Sequence, residues 1–197
     1  MNSRLVRAAV AATITLAAVA PQAHAQLPVP KPFSVGLGVG GTIPTGDLGT
    51  ISESGFNVGG FLQFRPPLSI VGVRGELQYH RNDIKQSLLD DLGAPPGTSA
   101  YWGTLYVGAT AVMETMPPGS PLGWFLVAGG GMYNIKGSAS DGDVSVSDGE
   151  TKVGFNGGAG LRLRVGAASL YIESRYHNVP TDDTNFTFVP VMVGIVF

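Results

Sequence analysis

The chain has 197 residues, of which 13% are charged, 29 are glycine and none is cysteine, and its formal net charge is −2. Soluble domains typically carry about 25% charged residues, so this composition argues against a domain whose whole surface faces water. The lack of cysteine excludes disulfides, thiolate metal sites, thiol nucleophiles and a lipid-bearing N-terminal cysteine.

The N-terminal segment has the layout of a cleavable export signal. A basic start is followed by an apolar run over residues 8–20 and by the tripeptide Ala-His-Ala at 23–25. The apolar run is about a dozen residues long, whereas a membrane-spanning helix needs roughly 20. We therefore expect cleavage after Ala25. The expected division of the chain is a signal peptide at 1–25, a short segment at 26–32 and one domain at 33–197.

Strict two-residue alternation, and not a helical period, runs through nearly all of the remaining chain. In residues 71–80, for example, all the charged side chains fall on one face and the apolar ones on the other. Segments of ten or more residues match the tilted strands of about 9 to 11 residues that cross an outer membrane. The predicted strands are 33–42, 55–65, 69–80, 100–115, 123–136, 151–165, 169–178 and 185–197.

The connections between these strands alternate in length. Short Pro/Gly turns alternate with longer polar segments, as in outer-membrane barrels with short periplasmic turns and long extracellular loops. An even number of strands then places both termini on the periplasmic side. The predicted short turns are 66–67, 116–122 and 166–167, and the predicted long connections are 43–54, 81–99, 137–150 and 179–184.

One long connection carries a helical signal. Ile84, Leu88 and Leu92 recur at four-residue spacing, and Gly93 could end a helix. We expect a short amphipathic helix over the mouth of the barrel, capped at its start by Asn82 or Asp83.

A soluble sandwich or lipocalin-like barrel would show the same alternation with its polar face outward. Of the 14 acidic residues, however, only Glu76, Glu114 and Glu173 lie in predicted strands. A soluble barrel would spread charges along the outer face of its strands. The sequence therefore predicts an all-β fold, an eight-stranded antiparallel up-and-down transmembrane β-barrel in the outer membrane.

The last strand ends on phenylalanine with apolar residues at every second position before it, and here the chain resembles the OmpA/OmpX-like family of small outer-membrane barrels. The resemblance covers residues 32–197. It implies that this terminal pattern is the signal read by the barrel-assembly machinery. Pro190 departs from the pattern, because it removes one ladder donor, and predicts a bulge or a lost hydrogen bond. The matching positions are Val191, Val193, Ile195 and Phe197.

About eight strands enclose a lumen that side chains just fill. We expect an interior closed by ion pairs, because an unpaired buried charge would be costly. A structural or surface-interaction role follows from this closed lumen, and a narrow porin-like conduit or a binder of small molecules is the alternative. The predicted network consists of Arg65, Arg74, Glu76, Glu114, Arg162, Arg164, Glu173 and Arg175.

The sequence offers little for catalysis. The mature chain has two histidines, His80 and His177, near the outer ends of the third and seventh strands, and neither shows a pairing with serine or aspartate. We therefore expect no catalytic residue, no cofactor and no specific metal site, and we interpret both histidines as rim residues. Acidic loops beside lipopolysaccharide phosphates could share divalent cations, which the sequence leaves open. The expected partners are outer-membrane lipid, lipopolysaccharide and the barrel-assembly machinery, with a monomeric barrel and no nucleic acid.

Overall fold

The computed structural model describes residues 32–95, 97–117, 119–141, 144–181 and 185–197. The expected signal peptide at 1–25 lies outside these residues. Within them the chain forms strands and two short helices, neither of which has the length and hydropathy of a membrane-crossing helix. The strands are β1 (Phe33–Thr45), β2 (Gly55–Phe64), β3 (Val71–Asp83), β4 (Ser99–Thr115), β5 (Leu122–Asp141), β6 (Val144–Val165), β7 (Ala168–Pro180) and β8 (Asn185–Val196). The helices are α1 (Gly46–Ile51), between β1 and β2, and α2 (Gln86–Asp91), between β3 and β4.

The strands close into an antiparallel up-and-down barrel in which each strand pairs with its neighbour in sequence. The first and last strands complete the ring, as expected, with Gly36 opposite Val196 and Thr45 opposite Thr187. The backbone of Phe197 adds two further hydrogen bonds to Val35, of 2.9 and 3.2 Å. Among the described residues, every strand has a neighbour on both sides within the closed ring, so unpaired backbone groups, which would cost several kcal/mol each in an apolar surrounding, are avoided there.

Alternation of side chains along each strand sorts apolar residues to the outside and polar residues to the lumen. On β8, Val193 is half exposed, whereas Met192 and Val196 are buried. Outward aromatic side chains form one group near the end with the chain termini, called the inner end below, and a second group near the opposite, outer end. On β2 the two groups are eight residues apart, about 26 Å along the strand, which matches an apolar band between two aromatic girdles. The inner group is Phe33, Phe64, Trp124 and Phe197, and the outer group is Phe56, Tyr79, Phe155 and Tyr176.

Two expectations about the connections were wrong. Residues 137–150 were predicted to be a long loop, but residues 137–141 continue β5 and residues 144–150 continue β6, and the two segments are paired as far as Asp141 and Val144. The serine and acidic residues of this segment suggested a loop, but their backbones form paired strands. This part of the hairpin extends beyond the apolar band, where strands need no alternation of polar and apolar residues. Helix α2 begins after Lys85 rather than after Asn82 or Asp83, and it buries Leu89 while Leu92 is exposed.

The prediction for Pro190 was confirmed as a lost hydrogen bond without a bulge. The β7–β8 ladder pairs Ser174 with Val191 and next pairs His177 with Phe188, so that it is interrupted at the proline while the register is unchanged. On its other side, Pro190 stays opposite Thr42 in the β1–β8 ladder. Because proline has no N–H to donate, the interruption falls on one ladder only.

Glycines on the lumen wall make room for the aromatic rings that fill it. A Cβ atom added to Gly108 would overlap the ring of Tyr106, two positions away on the same face of β4. The outward Gly75, by contrast, has no atom within 4 Å of the place a Cβ would take.

These two glycines allow a matched prediction about lumen packing. Gly108→Ala should lower the free energy of unfolding by about 1 to 3 kcal/mol, because the buried Tyr106 ring and the Gly130 backbone carbonyl both lie within contact of the added Cβ and must move. Gly75→Ala should be neutral or stabilise the barrel by up to about 1 kcal/mol, because alanine restricts the unfolded chain and meets no atom. Denaturant unfolding of both variants in detergent micelles measures the difference. Equal midpoints would mean that neither the Tyr106 ring nor the Gly130 carbonyl is held against Gly108.

Candidate functional site

The middle of the lumen is crossed by four charged residues from two facing strands. Alternation places Arg74 and Glu76 on the lumen side of β3 and Glu173 and Arg175 on the lumen side of β7. Arg74 donates to Glu173 at 2.7 Å, and Arg175 donates to both oxygens of Glu76 at 2.6 and 2.7 Å and to Glu173 at 2.5 Å. All four are buried, so each charge depends on its partners in place of water. This group is called the central tetrad below.

Neighbours of the central tetrad satisfy most of its remaining polar atoms. The Nε of Arg74 donates to Gln63 at 2.9 Å, and Thr110 donates to Glu76 at 2.9 Å. The guanidinium of Arg74 also lies 4.1 Å from the centre of the Phe61 ring, a cation–π contact that stabilises a desolvated cation. The central tetrad therefore fills its section of the lumen without a net charge.

A second ion-pair group closes the inner end. Arg162 donates to both oxygens of Glu114 at 2.8 and 2.9 Å, and the half-exposed Arg65 reaches the same carboxylate at 3.2 Å. The structure thus brings seven of the eight predicted network residues into two groups. Arg164 lies outside both, because it is exposed beside the β4–β5 turn and has no ion-pair partner among the described residues.

Above the central tetrad, toward the outer end, the lumen is filled by aromatic and histidine rings. His177 stacks on Phe188 at 4.7 Å between ring centres, and its Nδ1 lies 3.0 Å from the Tyr133 hydroxyl. The Nδ1 of His80 lies 3.1 Å from the Thr42 hydroxyl. The interpretation of both histidines as rim residues was wrong. Their side chains are buried in the lumen, with exposed fractions of 1% for His80 and 0% for His177.

Asn156 joins the aromatic layer to the central tetrad. Its amide nitrogen donates to the hydroxyls of Tyr106 and Tyr133 at 3.0 and 3.2 Å, and its oxygen accepts a bond from Arg175 at 3.4 Å. One polar network therefore runs from the central tetrad into the outer half of the lumen. Little side-chain entropy is lost when its tyrosines are fixed, because a tyrosine side chain has few rotatable bonds.

Helix α1 covers the outer mouth. Its Leu48 is buried against the aromatic layer, and Ile51, Trp102 and Phe186 pack beside it. The sequence had predicted a helix over the mouth in the β3–β4 connection and had given no sign of this one. A six-residue segment that contains two glycines is too short to establish a helical period, so the pattern could not have revealed α1.

The C-terminal positions lie where the alternation predicted. Val191, Val193 and Phe197 are exposed on the outer face, and Ile195 is half buried on the same face. Among the described residues, no group of three or more histidine, aspartate and glutamate side chains is placed to hold a metal ion. The part of the acidic hairpin around Asp143 lies outside those residues.

Comparison with known proteins identifies relatives of this fold. The family model described as the outer membrane protein beta-barrel domain matches residues 9–197. The crystal structure of neisserial surface protein A (NspA) is similar with a TM-score of 0.59 and 18% sequence identity, over 84% of this chain and 96% of that one. A major outer membrane protein of Thermus thermophilus is similar with a TM-score of 0.52 and 10% identity, over 84% and 98% of the two chains. No curated protein matches the chain significantly.

Proposed function

Because the chain belongs to the family of outer membrane protein β-barrel domains, we propose that it is a closed, non-enzymatic barrel with a structural or surface-interaction role. The barrel lies in the outer membrane and serves to hold its outer segments at the cell surface. The single observation that supports this most is the filling of the lumen by two ion-pair groups and an aromatic layer.

The filled lumen argues against the conduit. Arg175 is paired with two carboxylates, and Tyr106, Tyr133 and His177 are each fully buried in the layer above. Passage of a solute would require breaking several buried ion pairs at once, each costing a few kcal/mol. The same burial argues against catalysis at the histidines, because a substrate from outside the barrel does not reach them.

The outer hairpin supports a surface-interaction role. From Phe155 to its inner end, strand β6 pairs with β7 on one side and with β5 on the other. Beyond Phe155, as far as its outer end at Val144, it pairs with β5 alone among the described strands. Over residues 144–151 no other described strand pairs with the far edge of β6. Such an edge presents a row of backbone donors and acceptors to which an extended segment of another molecule could pair.

Conductance distinguishes the proposed function from the conduit. The purified barrel in a planar bilayer should show no steady single-channel current, because the central tetrad and the aromatic layer block the path. An open porin inserted under the same conditions provides the positive control. Reproducible unitary currents from the wild-type barrel would contradict the closed lumen and favour the conduit.

Labelling of intact cells tests the surface presentation of the hairpin. A protease site or epitope inserted between Asp141 and Val144 should be accessible from outside, because the hairpin extends beyond the outer aromatic group. The matched insertion at Gly119, in the turn between β4 and β5, should become accessible only after the outer membrane is permeabilised. The opposite pattern of labelling would reverse the orientation and remove the surface role.

A further inference from the structure

His80 and His177 form a buried pair whose chemistry is not used by the ion-pair network. Their ring centres are 5.7 Å apart in an edge-to-face arrangement. Each Nδ1 is engaged by a hydroxyl, that of Thr42 or that of Tyr133. Each Nε2 is buried and has no hydrogen-bond partner within the described part of the chain. Buried polar atoms without a partner are rare in folded proteins, so each of these two nitrogens needs a partner from outside the chain, either a water molecule or an ion.

A third unpartnered atom lies beside this pair. Asn57 is directly opposite His80 in the β2–β3 ladder and shares the lumen face. Its amide nitrogen donates to Thr42 Oγ1 at 3.1 Å and to the Gly41 carbonyl at 2.7 Å, which leaves Oδ1 buried without a donor. Two imidazole nitrogens and one amide oxygen therefore lack partners in the same region of the lumen.

This arrangement has the features of a metal site. Histidines that bind a metal through one ring nitrogen have the other held by a hydrogen bond, which fixes the tautomer and the ring orientation. The hydroxyls of Thr42 and Tyr133 lie 3.1 and 3.0 Å from the two Nδ1 atoms, and binding through Nε2 requires the tautomer in which each Nδ1 donates its proton to the hydroxyl oxygen. When two imidazoles bind one ion at about 2.0 to 2.1 Å, their ring centres lie about 5 to 6 Å apart, in agreement with the separation in the barrel.

We propose that the outer half of the lumen binds one divalent transition-metal ion, such as Zn²⁺, through Nε2 of His80 and Nε2 of His177, with Asn57 Oδ1 as a third ligand. Imidazole ligands suit zinc, copper and nickel rather than calcium or magnesium. The nearby central tetrad carries two arginines and two carboxylates and therefore no net charge. Because helix α1 and the aromatic layer cover the site, the ion enters as the barrel folds.

Metal content and stability measure this site directly. Untagged protein is refolded in detergent micelles with ZnCl₂ or with EDTA and then dialysed exhaustively. We expect one zinc per barrel and a higher denaturant midpoint for the zinc sample. His80→Asn and His177→Asn should each lower the zinc affinity at least about 10-fold, since each removes a ligand. Gln78→Asn, a change of another buried lumen residue on β3, should retain the zinc.

A measurement on the wild-type barrel keeps the proposal testable if the histidine variants do not fold. With ¹⁵N-labelled histidine, zinc should shift the Nε2 resonances of both His80 and His177, while both Nδ1 atoms keep their protons. If zinc leaves both Nε2 resonances and the unfolding midpoint unchanged, buried water alone satisfies these nitrogens and the metal site is rejected. A shift at only one histidine would also overturn it.

Discussion

Replacing Glu173 with alanine is expected to lower the free energy of unfolding by about 3 to 5 kcal/mol, the cost of leaving a buried charge uncompensated. The Glu173 carboxylate accepts bonds from Arg74 at 2.7 Å and from Arg175 at 2.5 Å, and all three side chains are buried. Its removal leaves the central tetrad with two arginines and one carboxylate in a space that water does not freely enter.

The matched control is an acidic residue in an exposed pair. Asp83 lies 3.4 Å from Arg81, and the two side chains are 66% and 41% exposed. Asp83→Ala should therefore cost at most about 1 kcal/mol, because water already screens that pair. Equilibrium unfolding in micelles, followed by tryptophan fluorescence and by the gel mobility of the folded form, compares the variants. Equal midpoints for the two changes would show that Glu173 does not act within an enclosed network.

Deleting Phe197 is expected to reduce the folded barrel in the outer membrane several-fold while export continues. The resemblance noted above implies that the C-terminal pattern is read during assembly, and its last position is Phe197. The structure adds a second effect, because the Phe197 backbone supplies the final pair of hydrogen bonds between β8 and Val35. Membrane fractionation and the heat-modifiable gel mobility of the folded barrel measure the outcome.

A variant of a second aromatic residue in the inner group serves as a control. It distinguishes loss of the assembly signal from loss of aromatic packing. Phe33 is exposed to a similar extent and packs on Phe64 with ring centres 5.0 Å apart. Phe33→Ala should leave assembly nearly normal, because it changes the girdle without changing the C-terminus. The deletion variant should still refold in micelles if its defect is one of recognition. Normal membrane yield of the deletion variant would reject the assembly-signal hypothesis without affecting the fold.

The strand number, the inward and outward faces and the closing pair could be read from the sequence, because a barrel in lipid imposes strict alternation wherever it contacts acyl chains. Beyond the apolar band the strands do not contact acyl chains and need no alternation. The secondary structure predicted from alternation was therefore less accurate there. The outer hairpin is rich in serine, glycine and acidic residues, which pattern analysis assigns to loops, and helix α1 has only six residues, two of them glycine. The hairpin is held by backbone pairing between its two strands, and helix α1 is held by its contacts over the mouth of the barrel. Neither kind of contact produces a periodic pattern in the sequence.

The sequence predicted the charged residues of the two ion-pair groups, but it could not predict which of them form ion pairs with each other. Alternation placed the charges of β3 and β7 in the lumen, yet only the barrel geometry determines that Arg175 meets Glu76 across it while Glu114 meets Arg162. The histidine pair was missed for the same reason. His80 and His177 lie far apart in the chain, and nothing local indicates that their rings approach each other.

The pairing of β1 with β8 also constrains when the barrel can form. These strands lie at opposite ends of the described chain, so their contact closes one of the longest possible loops and comes late on entropic grounds. Synthesis and export deliver β8 last, and until then β1 presents an unpaired edge with apolar side chains. Such an edge is a template for aggregation. Loop-closure entropy therefore predicts that the β1–β8 contact forms after the single hairpins, and that shielding of the β1 edge until then protects the chain from aggregation.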